Sequence, residues 1–214
     1  MKPVLLRPWG LLFLLAAPCL GAGTPLVIKS KVVPTSYHHE YSTAQIESMS
    51  SIKAPSRAAH EPGLTLFEYE LSFNYDLNLR SERPGGPYRF WVKTLNLEFN
   101  VNRMEVFVSS QYPVGSCQYR AILDHENTHV AINTRTFKKY LALLKKELSR
   151  TALPTSRRTW TAADQARAQA AVDARIKPIL DRIQKEFAAE DRRENAKIDT
   201  PASYRRTSAK CGDW

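Results

Sequence analysis

The sequence predicts an α+β domain in which an antiparallel sheet is followed by two long helices. Three features point there. Apolar and polar residues alternate from Phe67 to Arg80, a period of two. Residues 118–150 hold neither Pro nor Gly and repeat apolar residues at helical spacing. A second helical stripe follows over about 162–195, and strands that precede helices rather than alternate with them mean α+β.

Taken in order, residues 1–22 read as a signal peptide. Lys2 and Arg7 form a basic start, Leu11 to Ala17 is apolar, and Gly21, Ala22 and Gly23 are small. Cleavage is expected near Ala22, which lowers the net charge from +10 to +8 by removing Lys2 and Arg7. Pro18 before Cys19 does not suit a lipoprotein signal. The chain is thus expected to be exported, periplasmic or secreted. This is its one long apolar run, so a multi-pass membrane protein is excluded. With 43% hydrophobic and 24% charged residues, full-length disorder and a collagen-like fibre are excluded too.

Residues 23–63 read as a strand, Leu26 to Val33, and a surface segment. The His38-His39-Glu40 run could hold a metal, but a solvated loop is the favoured reading. Residues 64–214 form the main domain. Its first strand buries Phe67, Tyr69, Leu71, Phe73, Tyr75, Leu77 and Leu79, and Pro84-Gly85-Gly86 marks a turn. Leu95, Leu97, Phe99 and Val101 define a second strand, and Met104, Val106 and Val108 begin a third, so a meander is expected. Val106 to Tyr112 would then be a sheet edge able to take an extended peptide. The first helix carries Ile122, Val130, Phe137, Leu141, Leu144 and Leu148; the second carries Ile176, Leu180, Ile183 and Phe187, with Pro178 expected to kink it. Pro154 breaks the chain between them, and 196–214 is a polar, basic tail.

Residues 125–129 read His-Glu-Asn-Thr-His, early in the first helix. Residues four apart share a helix face, so His125 and His129 can aim two imidazole nitrogens at one zinc ion, each at roughly 2.0–2.1 Å. Glu126 beside them is placed to take a proton from water at that ion. A third ligand is needed. Ile132 and Arg135 exclude the metzincin continuation of the motif. The helix instead continues unbroken, as in gluzincins, where a later helix supplies a Glu. A hairpin about Pro154 would set residues 180–184 opposite 125–129, and Glu190 continues the stripe through Ile183 and Phe187. The rival is Asp199. Export favours one disulfide between Cys117 and Cys211, which would draw the tail toward the motif. Asp199 could then ligate zinc or orient a histidine, and Tyr204 could donate to the oxyanion formed during attack.

The run Ser116-Cys117-Gln118-Tyr119, the segment Asp124 to Val130, and Ile198-Asp199-Thr200 downstream resemble a family of bacterial secreted zinc-dependent proteases, grouped as a domain of unknown function. The likeness spans roughly residues 65–205. It implies a zincin-like fold, zinc on His125 and His129, and Glu126 as base. In that family the segment after the aspartate often ends in His-Gly, whereas Tyr204 holds the matching place here.

The leading expectation is an exported zinc metallopeptidase acting on a peptide or protein substrate. A cell-wall amidase would share its chemistry. The alternative is a non-enzymatic envelope binding or assembly protein with a structural or vestigial zinc site. The basic helix faces, including Lys138, Lys139, Lys145, Lys146, Arg205 and Arg206, would favour an anionic envelope surface or acidic substrates, although solvated faces explain them as well. No nucleic-acid module is present in the sequence.

Overall fold

The computed structural model describes residues 25–49 and 62–214; the signal segment lies outside them. The elements run β1 (Leu26–Lys29), β2 (Ser36–His38), α1 (Thr43–Met49), β3 (Gly63–Ser81), β4 (Tyr88–Val108), α2 (Cys117–Arg150), β5 (Trp160–Ala162), α3 (Gln165–Ala196) and α4 (Pro201–Ser208). The class is α+β. Among the described residues no helix is long and apolar enough to cross a membrane.

The sheet is mixed, not an antiparallel meander. β4 is its centre. β3 pairs with it antiparallel from Gly63↔Val108 to Ser81↔Tyr88. On β4's other side β1 and β2 run parallel to it, and β5 closes its start antiparallel. The expected third strand is the end of β4. Glu68 faces Arg103 and Tyr69 faces Val101, which leaves Asn102 unmatched. One extra residue shifts the apolar phase from odd to even while the same face stays inward, so the bulge imitates a strand boundary. Lys93 does the same between Val92 and Leu95. The residues on either side of both bulges, Val92, Leu95, Val101 and Met104, are all buried. The expected edge is also overturned: Val106 is flanked by Thr65 on β3 and by Tyr37 on β2, because the amino-terminal segment runs along β4.

One face of the sheet packs under α2 and α3. Phe99 meets Phe137 at 4.5 Å and Tyr69 meets Phe187 at 4.5 Å between ring centroids, around a cluster with Leu144, Ile176 and Ile183. The other face is polar, with Asn96 donating to Asn74 and Arg103 bridging Glu68 and Glu105. This one-sided burial is what the alternation encodes.

α2 is capped by Ser116, whose side chain accepts from the Tyr119 N–H, and α3 by Asp164, which accepts from Arg167. Pro178 lies inside α3. The expected tail contains α4, begun by Thr200 as cap and Pro201 in its first turn. The expected surface segment contains β2 and α1, and α1 buries Ile46. Cys117 and Cys211 form a disulfide with Cα atoms 5.8 Å apart. It joins the start of α2 to the turn after α4.

Candidate metal centre

The buried stripe of α2 is not uniformly apolar. Glu126, His129, Asn133 and Thr136 lie buried in it. Burial penalises such groups unless each is bonded, so their partners define the site.

His125 and His129 turn their Nε2 atoms toward each other, 3.3 Å apart. Asp199 Oδ1 lies 3.3 Å from His125 Nε2 and 3.0 Å from His129 Nε2. These three residues form a group whose donor atoms all lie within 4.8 Å, and it could hold a metal ion. Asp199 follows α3 directly and precedes α4, so both helices and the disulfide fix its place. Of the two ligand candidates from sequence, the structure brings Asp199 to the histidines and not Glu190.

Glu190 is held elsewhere. Its carboxylate accepts from Lys139 at 2.7 Å and from the Tyr140 hydroxyl at 2.9 Å. The expected hairpin register explains the difference. Glu147 meets Arg182, Lys139 meets Glu190 and His129 meets Asn195, so residues 180–184 do not face the motif. The two helices do not turn at Pro154 alone. The connection continues through β5, bound to β4, and α3 starts only at Gln165. That added length slides α3 along α2 and brings its end to the histidines.

Further residues orient the set. His129 Nδ1 donates to Asn195 Oδ1 at 2.7 Å, leaving Nε2 to face the cluster. Asn195 donates to the Asp191 carbonyl at 2.9 Å, and the Asn133 amide lies against Asp191, Asn195 and the His129 carbonyl. Glu126 accepts from the Thr65 hydroxyl at 2.8 Å. Gly63 lets the carboxylate approach β3, since a Cβ there would meet Glu126 Oε1 at 2.6 Å. Tyr204 on α4 donates to Asp199 Oδ1 at 3.3 Å, and its ring lies 5.3 Å from that of His125.

The electrostatics follow. Burial pushes the Glu126 carboxyl up, against the two imidazoles and Thr65. Burial pushes the His129 imidazole down, but Asp199, Glu126 and Asn195 outweigh it and raise it to about 9. Burial pushes Asp199 up, yet hydrogen bonds from His125 and His129 hold it well below the usual carboxylate range.

Thr65, Gly63, Asn195 and Asn133 are not singled out in the sequence reading, which has Asp191 only as one of several acids near the motif. The signal for Asn133 was a polar residue one turn beyond His129 on the core-facing stripe. Nothing local marked Gly63 or Thr65, which reach the site only through β3's pairing with the end of β4. The His38-His39-Glu40 run does not join the group. His38 stacks on Phe107 at 4.7 Å, and His39 Nδ1 lies 3.1 Å from the Val108 carbonyl.

A cavity of about 320 Å³ opens beside His125, between α2 and α4. Comparison with protein-family models, with curated proteins and with solved structures finds no match to this chain.

Proposed function

We propose that the chain is an exported zinc-dependent metallopeptidase of zincin type, with His125, His129 and Asp199 as ligands. One observation carries the reading: the three donor atoms lie 3.0–3.3 Å apart. Ligand atoms at roughly 2.0 Å around a tetrahedral ion are separated by about 3.3 Å, so the set fits zinc without rearrangement. Two imidazoles and one carboxylate are a donor set zinc accepts. Three protein ligands leave one position open, which favours a catalytic site over a structural one closed by four.

Zinc bound there would supply an acidified water and polarise a substrate carbonyl. Glu126 would take the proton, and its burial supports this, because a carboxyl raised above its ordinary range is the stronger base near neutral pH. Thr65 and Gly63 hold that carboxylate in one place. The protonated Glu126 would then donate to the leaving amine. Tyr204, which donates to Asp199, would release it and donate to the oxyanion instead.

The test is metal analysis of wild type and His129→Ala beside a general peptidase assay. Wild type should carry one zinc and His129→Ala should lose it; Glu126→Gln should keep zinc and lose turnover. Equal zinc in wild type and His129→Ala, or undiminished activity in Glu126→Gln, would overturn the assignment.

A further inference from the structure

The cavity beside His125 has two unlike walls. α2 gives Asp124, His125 and Thr128; the α4 side gives Ser203, Arg206, Thr207 and Lys210, with Ile198 completing the lining. The four α4-side residues are spaced as neighbours on one helix face, Lys210 lying just past the helix end. The Cys117–Cys211 disulfide ties the first residue of α2 to the turn after α4, and so links the two walls covalently. The lining therefore offers two cations, three hydroxyls and one acid besides the histidine. Asp124 is the acid, and it lies 4.0 Å from Lys210. The Arg206 guanidinium forms no ion pair among the described residues. Its neighbour across the cavity lining, Lys210, is the cation that has a carboxylate within reach, at Asp124. Arg206 lines the cavity beside His125 and is open to solvent, so its guanidinium can take a ligand without giving up a partner.

We propose that this cavity receives a carboxylate of the substrate, from an acidic side chain or a free C-terminus, and so sets the peptidase toward acidic peptides. The proposal rests on the hydrolase reading above and names its substrate class. Arg206 is the primary anchor, since guanidinium matches a carboxylate in a bidentate fork, and Lys210 adds a second charge. Ser203 and Thr207 supply hydroxyl donors. At about 320 Å³ the cavity suits a single side chain or terminal residue rather than a folded partner. Its place beside His125 means that a residue seated in it holds the neighbouring peptide bond near the cluster.

The experiment uses the zinc-loaded, disulfide-bonded protein and four matched fluorescent peptides: neutral or Glu-containing, each with a free or amidated C-terminus. Binding is read by anisotropy on Glu126→Gln, and turnover on the protein with Glu126 intact. Peptides bearing the recognised carboxylate should bind and turn over better by about two- to fivefold, the scale of one partly exposed charge pair, mainly through KM. Arg206→Gln should collapse that ratio and Lys210→Gln should reduce it, whereas Lys146→Gln, far along α2, should not. Zinc content and circular dichroism establish that each variant is folded. If the preference follows Glu, the source is a side chain; if it follows amidation, it is the terminus. Selective binding with no turnover keeps the pocket and removes the hydrolase. Turnover without selectivity, or a ratio unmoved in Arg206→Gln, removes the pocket and keeps the hydrolase. Neither binding nor turnover removes both.

Discussion

Gly63 and Glu126 touch at a distance that admits no side chain on the glycine: a Cβ built there would lie 2.6 Å from Glu126 Oε1 and 2.6 Å from Ile122 Cγ2. Neither neighbour can retreat easily, since both are buried on α2. Gly63→Ala should therefore displace the carboxylate. Overpacking of this kind costs about 1–3 kcal/mol, and a misplaced base costs on the order of tenfold to a hundredfold in kcat. Zinc content should stay near wild type, because no ligand moves. Denaturant titration and turnover measured together check this; wild-type kcat in a folded Gly63→Ala would refute the contact's role.

Asp199 and Glu190 separate by substitution. Asp199→Asn should weaken zinc binding by more than the roughly 10–100-fold expected for an outer partner, since it removes a ligand charge. Glu190→Gln should leave zinc affinity unchanged, because its partners are Lys139 and Tyr140. Its stability loss should be about 1 kcal/mol or less, as Lys139 is exposed. Competition with a chromophoric chelator reads both. Loss of zinc in Glu190→Gln with retention in Asp199→Asn would reverse the assignment.

Asn195 acts through His129. Its carbonyl oxygen fixes the Nδ1 proton and so the nitrogen left for the metal. Asn195→Ala should lower zinc affinity by about 10–100-fold while leaving Glu126 in place. The remaining zinc-bound fraction should turn over substrate at a rate close to wild type, which single-turnover assays at saturating zinc would show. A turnover loss that saturating zinc does not repair would argue against this role.

The disulfide closes a loop with a sequence separation of 94 residues. Cys117→Ser with Cys211→Ser should lower stability by about 2–5 kcal/mol. It should also weaken zinc binding, because Asp199 lies between α3 and the α4 segment that the bond anchors. Dithiothreitol should reproduce both effects in wild type. Unchanged zinc affinity after reduction would show that α3 alone positions Asp199.

How far the residues foretold this follows from the range of each interaction. Period and cap signals are local, so β3, α2 and α3 were legible, as was the pairing of His125 with Glu126 and His129. Bulges are local too, but Asn102 and Lys93 change phase as a new strand would, and alternation cannot tell the two apart. Asp199 and Glu190 could not be separated, because the choice depends on where α3 starts against α2. That register is set by β5's pairing with Phe90 and its neighbours, a long-range event. Gly63 and Thr65 reach Glu126 through strand pairing, which no window of sequence contains.

Asp191 supplies a pH test outside the ligands. Burial pushes its carboxyl from 3.8 up to about 6, against the charge of His129, the hydrogen bond from Asn195 and the charge of Arg192. A raised acid binds its proton more tightly in the folded state, so Asp191's contribution to the stability of the metal-free protein should fall as pH climbs from about 4 to about 6 and level off above. Asp191→Asn removes that dependence while keeping an oxygen to accept from Asn195. The variant should gain in Tm over wild type at pH 7, and the gain should shrink toward pH 4. Thermal unfolding of chelator-treated protein at pH 4, 5, 6 and 7 decides it. A Tm difference that stays constant across this range would mean that Asp191 is no more buried from solvent, electrostatically, than an ordinary surface acid.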